Sequence, residues 1–421
     1  MTFKDAVTSF KEHYQQDKYM NWPTSYSACK SCEFKCNKTE ENQGFKSGFK
    51  ECFTNQHKWT ELEFDKPNIF EVWSFSKGSK LFDERIYFME QLTKDSIGYK
   101  EEFGKLSTSQ RQWLQVEREI NSDETIFVDL MGLKNEMESW TYPLHFIDFE
   151  TSASALPFNK GRKPYEQIAF QFSHHTYFAN GQVEHSSEYI NNKAGFFPNF
   201  EFLRALKITL SEDEGTIFRY SFHENSILNA IYDQLVDSVE YDKVELIEFI
   251  KGISHSKKDC TTTWKGKRDM VDLWEILKRY YYNPLTKGSN SIKDVLPAVL
   301  NQSSFLKTKY SKKIKDINVS SKNFPPDHVW LSVKDGNVIN PYKMLPPVFQ
   351  NWSEGEIENA LSEIEDIANG GAALTAYCKL QYSNMDKSEV DELTKCLLKY
   401  CELDTLAMVM IFEHFKEDLI N

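Results

Sequence analysis

Between Ile69 and Trp140 apolar side chains recur mostly at helical spacing, and Leu106-Ser107-Thr108-Ser109-Gln110 offers a cap ahead of Trp113, Val116 and Ile120. This stretch reads as a helical connector over 61–140. After Tyr142-Pro143 the character changes. Leu144–Phe149, Ile168–Tyr177, Val183–Ile190 and Ile217–Phe222 read as strands, followed by a helix through Ile227, Ile231 and Leu235. Three consecutive strands, a helical segment and a further strand are the opening of a mixed α/β sheet of the ribonuclease H-like kind, with flanking helices. Ser353 with Glu356 forms a capping-box start for a helix through Ile357, Leu361 and Ile364, which Gly370-Gly371 ends. Leu393, Leu397, Tyr400, Asp404, Ala407 and Ile411 make one stripe of a further amphipathic helix.

Two of these elements carry acids where apolar side chains are expected. In the first strand alternate side chains share a face, so Leu144, Phe146, Asp148 and Glu150 point one way and Ile147 and Phe149 the other. A buried pair of like charges two residues apart is costly unless a cation lies between them, and magnesium or manganese takes carboxylate oxygens in this way. In the distal helix Asp404 is the only charge of the stripe, one turn after Tyr400. A strand Asp-x-Glu joined to a helical Tyr-x-x-x-Asp has the form of the first and last metal motifs of a two-metal 3′→5′ exonuclease.

The chain has 421 residues, 40% apolar and 14% aromatic, enough for two or three domains with substantial cores. No apolar run approaches the roughly 20 residues that span a bilayer, and Met1-Thr2-Phe3-Lys4-Asp5 lacks a signal-peptide pattern, so the expectation is a soluble, cytoplasmic protein without a membrane partner. A net charge of −13 argues against coating nucleic acid by bulk electrostatics. It leaves room for an enzyme that holds phosphates through metal ions and local lysines. Lys307, Lys309, Lys312, Lys313 and Lys315 surround Tyr310 in a stretch with little periodicity, as in a loop that tracks a single strand. Lys257, Lys258, Lys265, Lys267 and Arg268 form a second patch. Cys29, Cys32, Cys36 and Cys52 cluster within 1–60, a spacing better explained in a cytosolic protein by structural zinc or an iron–sulfur cluster than by disulfides. His57 reads as a lone surface histidine or a spare ligand.

Phe146–Thr151, Lys163–Gln167 running into Phe170–Ser173, Gly288–Pro297, Asn340-Pro341-Tyr342 and Tyr400–Met408 resemble the bacterial family called domain of unknown function 2779. The resemblance runs from about Tyr142 to the C-terminus. It implies a DEDD-type exonuclease domain over 141–421, with phosphodiester hydrolysis by two divalent ions, Mg2+ or Mn2+. Such enzymes carry a further acid where a strand enters a helix. Glu224 stands there, with Asp272 as the rival, whose ordinary role would be to cap the helix through Leu277. Asp148, Glu150, Glu224 and Asp404 are thus the expected ligands, and Tyr400 orients the attacking water. Lys293, Lys309, Lys312 and Lys313 are the expected contacts to nucleic acid, Lys293 at a phosphate. Family members commonly carry a RecB-like nuclease ending in an iron–sulfur cysteine cluster ahead of this domain. Only 28 residues precede Cys29, so the resemblance implies that this nuclease is lost or supplied by a separate partner in defence or repair. DNA is favoured over RNA as substrate, and a non-catalytic nucleic-acid-binding scaffold subunit is the alternative from another class.

Overall fold

The computed structural model describes residues 2–15, 23–258, 262–334, 336–345, 371–382 and 384–420. The chain divides into two units, Met1–Ile126 and Phe127–Asn421. Packing therefore draws a boundary different from the three segments expected. Cys29, Phe49, Phe53 and Trp59 share one core with Ile69, Phe70, Leu81 and Val116, so the cysteine segment and most of the connector belong together. No helix among the described residues is long and apolar enough to cross a membrane.

In the first unit the expected cap is present. Ser107 and Gln110 form a capping box at the start of the helix Thr108–Asn121. Its buried face is more polar than the apolar spacing suggests. Gln112 donates to the carbonyls of Trp73 and Ser74, and Gln115 donates to the carbonyl of Glu71. Val116 is buried and Ile120 is exposed.

The second unit is built on a six-stranded mixed sheet. Its strands are β1 (Leu144–Ser152), β2 (Ile168–Tyr177), β3 (Val183–Ile190), β4 (Ile217–Arg219), β5 (Val271–Asp272) and β6 (Val319–Ser320), in the order β5-β4-β1-β2-β3-β6. β2 runs antiparallel to both β1 and β3; β4 lies parallel to β1, β5 to β4, and β6 to β3. The expected strand over Ile217–Phe222 ends at Arg219, because Ser221 turns the chain with φ 73°. The two edge strands β5 and β6 are too short for a periodic signal.

Helices α1 (Asn199–Leu210), α2 (His223–Val236) and α3 (Lys243–Ile253) cover one face of the sheet. There Ile147 and Phe149 of β1 pack with Phe202, Leu203, Ile227 and Ile231. Helices α4 (Leu273–Tyr280), α5 (Ile292–Gln302) and α6 (Ser304–Tyr310) follow β5. The opposite face of the sheet receives α7 (Gly371–Tyr382) and α8 (Lys387–Glu413). Ile168 and Phe170 of β2 meet Tyr377, Leu380, Leu393 and Leu397 there, and Phe146 meets Phe412 at 5.9 Å. Each such side chain stabilises the fold by about 1.5–3 kcal/mol on full burial, which fixes α8 against the sheet along its length.

The helix expected after Ser353 lies outside the described residues, and Gly371, expected to end it, opens α7. The stretch around Lys307 and Lys309 is not a loop. Ser303 caps α6, and Tyr310 at its end is fully buried.

Candidate active site

The face alternation of β1 decides where its acids go. Ile147 and Phe149 are spent on the core beneath α1 and α2, so Asp148 and Glu150 face α8. The Cys401 Sγ lies 3.6 Å from Asp148 Oδ2 and 3.7 Å from the Asp148 carbonyl oxygen. Ligand atoms of Asp148, Glu150 and Cys401 all fall within 4.8 Å of one another. One turn along α8 from Tyr400 and Cys401, the buried Asp404 faces the same space.

Glu224 enters from the first turn of α2 and is 1% exposed. Two contacts set that helix start. His223 Nε2 meets Thr151 Oγ1 at 3.1 Å, and the Ser221 N–H donates to Asp272 Oδ1 at 2.9 Å. Asp272 also caps α4 through the N–H groups of Trp274 and Glu275 and pairs with Arg219 at 2.9 Å. Its oxygens are thereby engaged, and it holds the turn that delivers Glu224. The Glu224 Oε2, by contrast, is buried without a hydrogen-bond partner.

Four carboxylates from three separate elements thus act on one another. Burial raises the Asp148 carboxyl well above the usual range, with Asp404, Glu224 and Glu150 adding repulsion. Burial and then Asp404 raise Glu150 in the same way. Burial also pushes Glu224 up to about 8. Asp404 rises through burial, opposed by Lys293 and by its hydrogen bond from Tyr342. Acids in such a cluster cannot all ionise without a compensating cation. The donor set, the repulsion and the unpartnered Glu224 oxygen fit a divalent-metal centre.

Lys293 is brought into this cluster by the segment Gly288–Pro297. Ser291 caps α5, and Lys293 in its first turn hydrogen-bonds the Tyr400 hydroxyl through Nζ. The ammonium lies 4.6 Å from the Tyr400 ring centroid and 5.1 Å from that of Tyr342. Burial lowers the Lys293 pKa while Asp404, Glu150 and Asp148 oppose the shift. The Tyr342 hydroxyl donates to Asp404 Oδ1 at 2.5 Å.

Cys401 and Tyr342 are the residues that sequence reasoning missed as members of the site. Both stand in the segments that carry the family resemblance, Asn340-Pro341-Tyr342 and Tyr400–Met408, but their spacing assigns them no role. Behind the acids lies a buried polar lattice that grips α8. Gln171 Nε2 donates to the Leu397 carbonyl at 2.8 Å, and Ser173 Oγ and His175 Nδ1 lie 2.8 and 2.7 Å from Thr405 Oγ1. His185 Nδ1 stands 3.1 Å from Glu402 Oε2. Ser173 is the cross-strand partner of Asp148 and Thr405 follows Asp404, so this lattice sets the register of one acid against the other.

Other expected residues lie elsewhere. Lys309 pairs with Glu413 at 2.5 Å, and Tyr310 donates to the same carboxylate at 2.8 Å. A ring so placed has no face for a base. Lys313 pairs with Asp327, and Lys312 is exposed. In the other patch Lys257, Lys258, Lys265 and Lys267 are exposed, whereas Arg268 is bound to the carbonyls of Leu210 and Gly215.

In the first unit Cys29 is buried, its thiol raised by burial and by Cys32 and Cys52, while the charges acting on Cys36 are Glu40, Glu41 and Lys50. No three of these four sulfurs lie within 4.8 Å of one another. Both ring nitrogens of His57 are occupied, by Thr24 and Tyr87 at 2.7 and 2.9 Å.

A family model of a domain of unknown function, DUF2779, matches residues 145–291. This segment is similar to the DUF2779 domain. The match contains Asp148, Glu150, Glu224 and Asp272 and ends just before Lys293, so Tyr400 and Asp404 reach these acids from beyond the matched segment through tertiary structure. No curated protein and no solved structure matches the chain.

Proposed function

We propose that the second unit is a metal-dependent 3′→5′ exonuclease of ribonuclease H-like fold and DEDD type, acting on single-stranded DNA. The observation that carries this reading is the convergence of Asp148, Glu150, Glu224 and Asp404 from β1, α2 and α8, with Glu224 Oε2 buried and unpartnered. The sheet supports it, since three antiparallel strands are followed by two that run parallel to the first on its free side.

The four carboxylates would hold two divalent ions, Mg2+ or Mn2+, which supply Lewis acidity at the attacking water and at the departing 3′-oxygen. Lys293, among these acids, would contact a non-bridging phosphate oxygen. The Tyr400 hydroxyl would orient the water. Burial and the neighbouring acids raise Tyr400 well above the ordinary phenol, so its part is positional rather than basic. Asp272 positions Glu224 by holding the Ser221 turn and touches no reacting atom.

The test is digestion of end-labelled single-stranded DNA and RNA by purified protein with and without Mg2+ or Mn2+. Metal-dependent shortening from the 3′ end that Asp148→Ala abolishes, in a variant with native circular dichroism, is the expected result. Wild-type activity in that variant would remove the assignment.

A further inference from the structure

We propose that this centre includes a sulfur donor, Cys401, and that one of its positions takes a thiophilic divalent cation of the zinc and cadmium class through Asp148, Glu150 and Cys401. The inference deepens the metal-centre reading, on which it rests, by naming the class of cation.

The geometry is that of a mixed site. The three ligand atoms lie within 4.8 Å of one another, and Cys401 Sγ is 3.6 Å from Asp148 Oδ2. Ligands that share a zinc ion sit about 2.0–2.3 Å from it, so modest side-chain shifts close the set. A second observation points to a cation independently of the cysteine: beside Asp148 and Glu150, the Glu224 Oε2 is buried with no partner.

The chemistry separates this site from one built for magnesium alone. Mg2+ takes oxygen ligands and dehydrates reluctantly, whereas a thiolate selects softer ions. As the sulfur–metal bond forms, the Cys401 S–H bond breaks and its proton passes to solvent. Cys401 is on α8, one residue after Tyr400 and three before Asp404, so the same turn that delivers the last acid delivers the sulfur.

The probe is Cd2+ alone, titrated into full-length, metal-free protein while the ultraviolet thiolate-to-cadmium charge-transfer band is recorded. Cys29, Cys32, Cys36 and Cys52 can contribute to that band, so the readout is the difference between wild type and variants. Cys401→Ser and Asp148→Asn should lose the same increment, although the second keeps the thiol. A band unchanged in Cys401→Ser, or surviving in full in Asp148→Asn, overturns the proposal. Should Cys401→Ser fail to fold, Asp148→Asn and Glu150→Gln decide, since both must lower the band. Nuclease activity is assayed separately with Mg2+ and Mn2+. Loss of the band difference in an active enzyme sinks only the sulfur donor, and an inactive protein that shows the difference sinks only the exonuclease reading.

Discussion

Replacing Glu224 with glutamine should stabilise the metal-free protein at neutral pH while removing metal-dependent activity. Glu224 is 1% exposed and its carboxyl is raised from 4.5 to about 8, chiefly by burial. Between those values the folded protein holds a proton that the unfolded chain has released. Stability attributable to this group is therefore greatest below pH 4.5, falls as pH rises, and is fully lost above about 8. At pH 7 the gap from the unfolded value is about 2.5 pH units, or about 3 kcal/mol at 1.36 kcal/mol per unit. The glutamine stays neutral and keeps the shape. For a unit spanning Phe127–Asn421, with an unfolding entropy of about 0.6 kcal/mol/K, that difference corresponds to a melting temperature higher by roughly 5 °C at pH 7, with little change at pH 5. The assay is thermal unfolding in chelator across pH 5 to 8, repeated with Mn2+. Wild type should melt at lower temperature as pH rises and be rescued by metal most strongly at pH 8; Glu224→Gln should show a flatter profile and a smaller rescue. Parallel pH profiles would refute the claim that burial raises the Glu224 carboxyl.

Asp272→Ala should cost about 1–2 kcal/mol through the lost cap of α4, more with Arg219 left unpaired, and should lower kcat with metal affinity largely retained, as isothermal titration with Mn2+ would read. Loss of metal binding in Asp272→Ala but not in Glu224→Gln would exchange their roles. Lys309→Ala leaves Glu413 buried without its cation and should destabilise by about 3–5 kcal/mol in urea unfolding, whereas Lys312→Ala should be neutral to stability; an unchanged midpoint for Lys309→Ala would return that lysine to the nucleic-acid surface. If Cys29, Cys32, Cys36 and Cys52 bind one centre, anaerobically purified protein should contain zinc or iron with sulfide beyond whatever the acidic site holds, and Cys32→Ser should lower stability more than activity. Elemental analysis of Asp148→Ala that finds neither metal would leave the cysteine segment metal-free.

Strand periodicity by itself determined β1, β2 and β3, the face on which Asp148 and Glu150 stand, and the helical stripe that carries Asp404. Those are local consequences of the two-residue and 3.6-residue repeats, which sequence displays directly. The capping chemistry of Ser107 and Gln110 was legible for the same reason, since its partners are three residues apart. Only tertiary structure shows how the surroundings of Glu224 and Asp272 differ. Both are acids at helix starts, and only the path of Ser221 and the pairing with Arg219 show which carboxylate is already satisfied. It also decided Lys309 and Tyr310, whose commitment to Glu413 spans 104 and 103 residues, and Cys401, whose meeting with Asp148 spans 253. Contacts of that separation leave no period in the chain, because they arise from which faces of the sheet and of α8 exclude water together.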